Sequence, residues 1–292
     1  MNYFNKGIFL ASLGSFWWGF LGVLYFKYFS FIGHIELVVH RCLWTAFMLI
    51  LTTTYLSKWN LFFKIISIKK NLFILFLSGV LIFINWSVWI YAVASNKIID
   101  ASFGYFIMPI ISVLFGFLFF KEKISKKKII AIILVCISIF YLLIIYGSVP
   151  WVGLVVALSW GFYNLLRKTL AIAIDTDIGL LIESLFILPF AVIAFYFIYK
   201  SSLNDFSITD PTLLLLLLLA GPMTVIPLFL YIRGVELSGL GPTGMIFYIT
   251  PTLQFLLGYY HYNEIFSPEK LISFILIWIA VFIYLKDLYE NN

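Results

Sequence analysis

The chain reads as a succession of long apolar runs separated by short polar connections. Ten runs approach the roughly 20 mostly apolar residues that a helix needs to cross a bilayer. They cover residues 7–25, 35–55, 72–94, 101–120, 128–146, 151–171, 177–199, 212–232, 243–261 and 269–287. Each predicts a membrane-spanning helix, because lipid offers no partners for backbone N–H and C=O groups and a helix satisfies them internally. Lys6 precedes the first run, but no small-residue cleavage site follows it, so 7–25 is expected to be a membrane helix and not a removable leader. The connections leave no room for a soluble domain.

The same landmarks occur twice at an offset of 142 residues, without gaps. Trp18-Gly19-Phe20 returns as Trp160-Gly161-Phe162. Pro109 returns as Pro251, Gly116 as Gly258, Glu122 as Glu264, and Ser125 and Lys128 as Ser267 and Lys270. The repeating unit holds five spans, and an odd number sends the second copy into the membrane from the opposite face. The expected fold is therefore all-α and integral to the membrane, with ten transmembrane helices in two inverted five-helix repeats, 1–147 and 148–292. Inverted repeats of this kind hold substrate sites near the bilayer midplane, between the halves. Pro109 and Pro251 fall mid-helix, where proline removes a backbone hydrogen bond, and they are candidate hinges. Pro189, Pro222 and Pro227 interrupt two further spans.

Composition supports the membrane assignment and adds orientation. Charged residues are 11% of the chain and hydrophobic ones 63%, where soluble domains carry about 25% charged. Alternate connections divide the cations unequally. One side, which includes both termini, holds 14 Lys and Arg, the other holds 4, and Arg41 completes the 19. Positive residues favour the cytoplasmic side, so both termini are expected in the cytoplasm and the protein in the cytoplasmic (inner) membrane as a multi-pass chain. The net charge of +6 reports topology in this setting, and no nucleic-acid partner is expected. Cys42 and Cys136 lie in apolar runs and are expected as small buried hydrophobes.

Ionisable and polar groups inside the spans are the candidate chemistry. Glu36 and His40 are four apart and share a helix face, with Arg41 about 100° further round. Arg41 has two readings: a cation that snorkels to the headgroups or is structurally paired, or a cavity-facing cation that holds an anionic part of a substrate. His40 is either a hydrogen-bonded core histidine or a group that titrates near neutral pH. Glu183 stands at the 142-residue offset from Arg41. Their depths differ by about 12 Å at 1.5 Å per residue in a ~30 Å core, which argues against a direct pair. Glu183, a carboxylate among apolar residues, is the main coupling candidate, and Glu36, Glu122 and Glu264 are further coupling or gating candidates. Asn85 and Trp89, Tyr105 and Pro109, Tyr163 and Arg167 (beside Asn164), and Tyr248 and Thr252 are each four apart and share a face; Gln254 lies nearby. With Arg41 and His40 these polar and aromatic residues are expected to wall a cavity. Aromatic walls with few carboxylates suit amphipathic or cationic organic molecules.

The stretches "ELVVHRCLWT", "NWSVWIYAV", "ASFGYFIMPIISVLFG", "GFYNLLRK", "LLIESLFILP" and "YITPTLQFLLGYY" resemble the RarD family, in the EamA-like branch of the drug/metabolite transporter superfamily. The resemblance runs in order from about residue 7 to 287. It implies ten helices in two inverted repeats around a central cavity. The expected function is a secondary transporter of a small organic metabolite (amino-acid-like, amine or amphipathic), working by alternating access in the lipid bilayer with protons as candidate coupling ion. The alternatives are a membrane-embedded enzyme and a passive channel. Three histidines without metal-ligand spacing speak against a metalloenzyme, and no GxxxxGK[ST] run provides for ATP. No cofactor or metal is expected, and the protein is expected to be a monomer or homodimer.

Overall fold

A computed structural model describes residues 3–121, 124–147, 149–170, 174–201 and 211–291, and the described residues form helices and turns with no strand among them. The N-terminal segment comprises α1 (Tyr3–Phe16), a π turn (Trp17–Leu21), α2 (Gly22–Tyr28) and a 3-10 turn (Phe29–Phe31). Next come α3 (His34–Tyr55), the short α4 (Trp59–Ile66), α5 (Lys69–Ala94), α6 (Ile98–Phe120) and α7 (Lys126–Tyr146). The second half holds α8 (Trp151–Lys168), α9 (Thr176–Lys200), α10 (Pro211–Leu218) and α11 (Ala220–Ser238). It ends with α12 (Leu240–Ile246), α13 (Ile249–Leu256), a second π turn (Leu257–His261) and α14 (Pro268–Asn291).

Among the described residues, eight helical segments are long and apolar enough to cross a membrane. The other two expected spans are α8, 18 residues long, and the region 243–261, where the helix is broken. The break falls at Phe247–Tyr248, four and three residues before Pro251. Proline has no N–H to give the carbonyl four residues back, and its ring crowds that carbonyl. The Phe247 carbonyl instead accepts from Thr250 N at 3.0 Å. Pro109, the equivalent position, leaves α6 continuous, so the two candidate hinges behave differently. The amphipathic α4 was not expected; at eight residues it is too short to register as a span.

Element starts repeat with the 142-residue offset: His34 and Thr176, Lys69 and Pro211, Ile98 and Leu240, Lys126 and Pro268. The packing repeats as well. α1 lies along α11 as α8 lies along α5, while α3 packs on α9 and α7 on α14. Helices in lipid gain little from hydrophobic burial against each other, so small residues at crossings, which let backbones approach, carry much of the association. At the α6–α8 crossing, a Cβ on Gly104 would lie 2.4 Å from Gly153 O. Bulky side chains such as Ile144 and Phe282 point outward, as lipid-facing positions require. Cys42 is buried as expected, but Cys136 is exposed on the outward face of α7, because α7 packs closely mainly on α14.

Gly104→Leu should lower the melting midpoint of the detergent-purified protein by on the order of 5 °C or more, since overpacking costs about 1–3 kcal/mol and here the clash is with backbone. Gly33, with open space around it, is the control: Gly33→Ala should melt like the parent. Equal melting of Gly104→Leu and the parent would refute the close crossing.

Candidate functional site

A cavity lies where the two halves meet. The N-terminal segment contributes Trp18, Gly22 and Phe26, α3 contributes Arg41, and α5 contributes Ile82, Asn85, Trp86 and Trp89. Tyr105 comes from α6, Trp160 and Tyr163 from α8, Thr176 and Leu180 from α9, and Met223, Thr224 and Leu228 from α11. Phe247, Thr250 and Gln254 come from the broken segment. Ile82, Asn85, Trp86 and Trp89 are spaced three and four apart and so share one face of α5. The first π turn meets the broken segment directly: a Cβ on Gly19 would lie 2.8 Å from Thr250 O, and Thr250 Oγ1 donates to Ser15 O at 3.0 Å. The irregular backbone of this region therefore lines the cavity or packs on protein, the setting in which lipid-embedded proteins tolerate it.

Arg41 is the one charged residue among the described residues of this wall. It is 7% exposed, and its guanidinium carbon sits 4.5 Å from the Trp86 ring centroid, 5.1 Å from Phe26 and 5.4 Å from Trp89. The rings face the cation with their negative quadrupole faces. Arg41 Nε and one terminal nitrogen reach no acceptor among the described residues, nor does Trp89 Nε1, while Gln254 Oε1 receives no donor. Asn85 is fully engaged: Nδ2 donates to Val156 O at 3.0 Å and Ser159 Oγ at 3.1 Å, and Oδ1 accepts from Tyr105 OH at 3.3 Å. Among the described residues no carboxylate lines the cavity. The described wall is rich in aromatic residues and its fixed charge is positive; of the amphipathic or cationic molecules that the sequence suggested, a positive charge does not attract the cationic kind.

Beside the cavity stands a buried network on Glu183. Its carboxylate accepts from Ser78 Oγ at 2.6 Å, Tyr163 OH at 3.2 Å and Arg167 Nη1 at 3.3 Å. Two glycines make room for it. A Cβ on Gly79 would lie 3.1 Å from Glu183 O, and one on Gly179 would fall within the Arg167 guanidinium. Tyr163 belongs to both the cavity wall and the network. Glu183 thus pairs with Arg167, and Arg41 meets rings, so the two are not each other's partners.

The remaining candidates divide. His40 is buried but turned from the cavity: its ring meets Phe195 of α9, Nδ1 accepts from Trp44 Nε1 at 3.3 Å, and Nε2 is 3.8 Å from Glu36. The 100° step along α3 separates it from Arg41. Asn164 is exposed, one residue round from Tyr163. Thr252 is exposed and its hydroxyl donates back to Tyr248 O at 2.7 Å. Tyr248 is buried but stacks on Phe106 outside the cavity wall. Glu122 lies outside the described residues. Glu264 accepts from Ile98 N at 2.7 Å and Ile99 N at 2.8 Å, capping the N-terminus of α6. Burial pushes its carboxyl pKa up, and the Ile99 and Ile98 N–H groups oppose this without cancelling it. Toward the start of α9, Lys58 holds Asp177 at 2.8 Å and Asp175 at 2.9 Å. Burial works against its charge, yet the two aspartates outweigh it and raise the ammonium pKa. Among the described residues no three His, Cys, Asp or Glu side chains gather as a metal site would need.

Several wall residues were missed: Phe26, Trp86, Thr224 and the Trp18–Trp160 pair. The duplicated Trp-Gly-Phe was visible in the sequence, but as a marker of the repeat. Arg167 stood in view as the i+4 neighbour of Tyr163 without its carboxylate partner, because that partner is on another helix.

The EamA-like transporter family model matches residues 5–144 and 148–286. Protein RarD of Salmonella typhi is 33% identical over 283 residues, covering 97% of this chain and 95% of the relative. Protein RarD of Escherichia coli K12 matches at the same identity and coverage. An uncharacterized transporter of Bacillus subtilis, YojE, is 33% identical, covering 96% of this chain and 93% of its own. A solved crystal structure superposes with a TM-score of 0.55 at 13% identity, covering 99% of this chain and 98% of that one; this likeness concerns the fold alone.

Arg167→Met should destabilise the protein by about 3 kcal/mol, because it strands the buried Glu183 carboxylate. Adding Glu183→Leu should recover at least half of that loss in a double-mutant cycle read by thermal melting. Strict additivity of the two substitutions would show that the pair is not energetically coupled.

Proposed function

We propose that this chain, which belongs to the EamA-like transporter family, moves a small organic metabolite across the cytoplasmic membrane by alternating access between two inverted repeats, 1–147 and 148–292. The observation that carries this reading is the make-up of the cavity wall. Trp18 and Trp160, Ile82 and Thr224, Trp86 and Leu228, and Tyr105 and Phe247 all line it, and each pair is related by the 142-residue offset. A site built from equivalent positions of both halves can be exposed to either side as one half rocks against the other.

In this reading ten segments cross the bilayer, α8 and the broken 243–261 region completing the set as the sixth and ninth, and both termini are cytoplasmic. Two contacts act as straps at opposite ends. Glu264 ties the segment after α13 to the start of α6, and Lys58 ties the start of α4 to the start of α9. Opening either end requires its strap to part. Glu183 is the coupling residue. A proton on its carboxyl would weaken the bond to Arg167 and, through Tyr163, alter the cavity wall.

Proteoliposomes holding the full chain should accumulate at least one member of a metabolite pool when an inward or outward proton gradient is imposed. Glu183→Gln should abolish that accumulation while substrate still raises the melting midpoint. Unchanged gradient-driven uptake in Glu183→Gln would remove Glu183 from coupling. A cysteine placed at Lys286 should resist an impermeant maleimide in intact cells, and labelling there would overturn the orientation.

A further inference from the structure

We infer that the cavity recognises a negatively charged group through Arg41 and Trp89, so that the transported molecule is an organic carboxylate with an aromatic or otherwise apolar body. This rests on the transport reading above and assigns it a substrate class. A guanidinium is charged under all ordinary conditions and carries its donors in a planar fork. The rings of Phe26, Trp86 and Trp89 meet the charge of Arg41, but a ring face does not replace an oxygen acceptor in the plane of the fork. Arg41 Nε, one Arg41 terminal nitrogen and Trp89 Nε1 reach no acceptor among the described residues, although Arg41 is more than nine-tenths buried. Unpaired donors from two helices at one place in a cavity wall call for an acceptor from outside the chain.

The rest of the wall narrows the chemistry. Among the described residues no Asp or Glu lines the cavity, so a cationic ligand would find no counter-charge there and would meet Arg41 instead. One fixed positive charge is balanced by one negative charge; a phosphate dianion would leave an excess in an apolar surround. A carboxylate fits the fork in a bidentate way. Eight of the nineteen described wall residues are aromatic, which provides for a flat apolar body. Gln254 Oε1 is left as an acceptor for one hydroxyl or amine donor on that body.

The test is equilibrium dialysis of the full chain in detergent with three labelled probes that share one ring: phenylacetate, phenethylamine and 2-phenylethanol. Phenylacetate should bind at least tenfold tighter than the other two. Arg41→Gln should weaken phenylacetate about 10- to 100-fold, the range of a hydrogen bond to a charged group, and erase the preference. Trp89→Phe replaces the indole by a phenyl ring and removes the N–H; it should weaken phenylacetate about three- to tenfold and narrow its preference over 2-phenylethanol. Trp89→Phe also keeps the test decisive if Arg41→Gln is not recovered folded. Equal or tighter binding of phenethylamine, no binding of any probe, or a preference that survives both substitutions would overturn the assignment. Uptake separates this failure from that of the transport reading. Arg41-dependent binding with no uptake of any pooled metabolite removes transport and keeps the anion site. Uptake of a cationic metabolite at parental rates in both variants does the reverse.

Discussion

In lipid a charge that cannot be neutralised has to be met by the protein itself, and Arg41 is such a charge. A guanidinium costs about 2.5–3.5 kcal/mol on insertion scales at the centre of a membrane helix, which is the upper bound for Arg41 in the first half of α3. Desolvated aromatic faces return about 2 kcal/mol or more per favourable contact. The three rings that do this come from α2 and α5, while Arg41 comes from α3. Meeting the charge therefore draws three elements to one point, and the cavity wall is what surrounds that point. The equivalent position in the second half holds Glu183, a charge of opposite sign met in a different way, by Ser78, Tyr163 and Arg167. The repeat supplies the backbone twice, and the two halves use it for different chemistry.

Close helix approach and buried polar groups are a single device here. Gly79 brings α5 onto the backbone of α9 at Glu183, and Gly179 leaves on α9 the space that the Arg167 guanidinium occupies. Larger residues at either glycine would displace a network member as well as separate the helices. Gly104 and Gly153 serve the neighbouring crossing, which places Tyr105 of α6 against Asn85 of α5. Hydrogen bonds across membrane helices are individually modest, about 0.6 kcal/mol on average where measured. Their value at Asn85 is positional: three bonds to α6 and α8 fix an amide that borders the cavity.

The helical course of the chain was legible because both of its signals are one-dimensional. Apolar run length marks the spans, and the fixed offset of 142 residues marks the equivalent starts, His34 with Thr176 and Lys126 with Pro268. Facing directions were only partly legible. Arg41, Asn85, Trp89, Tyr105, Tyr163 and Gln254 were expected at the cavity and line it. His40, Asn164, Tyr248 and Thr252 were expected there and do not, because the spacing of residues within a helix gives relative angles and not the direction of the neighbours. The sequence equates Pro109 with Pro251, yet only the second accompanies a break. The break at Pro251 comes with a local environment of its own: Gly19 leaves no room for a Cβ against Thr250, and the hydroxyl of Thr250 donates to Ser15 O. The sign of the cavity's charge was obscured for a related reason: counting carboxylates near aromatic residues does not reveal that Glu183 is turned away into its own network.

Tyr163 is where the two charges come into relation. Its ring borders the cavity that holds Arg41, and its hydroxyl donates to Glu183. Under the coupling proposed for Glu183, the carboxylate is the acceptor on which Ser78, Tyr163 and Arg167 converge. A proton would occupy one of its oxygens and remove the charge that holds Arg167, whose guanidinium has no neutral form to adopt. Arg167 would then be a buried cation without a counter-ion, a costly state that water or a second acceptor has to relieve. Under the proposed substrate class, an anion bound near Arg41 would supply negative charge on the cavity side of Tyr163. Substrate and proton would thus bear on the same tyrosine from opposite sides, which is the physical basis on which loading the cavity and titrating Glu183 can be linked.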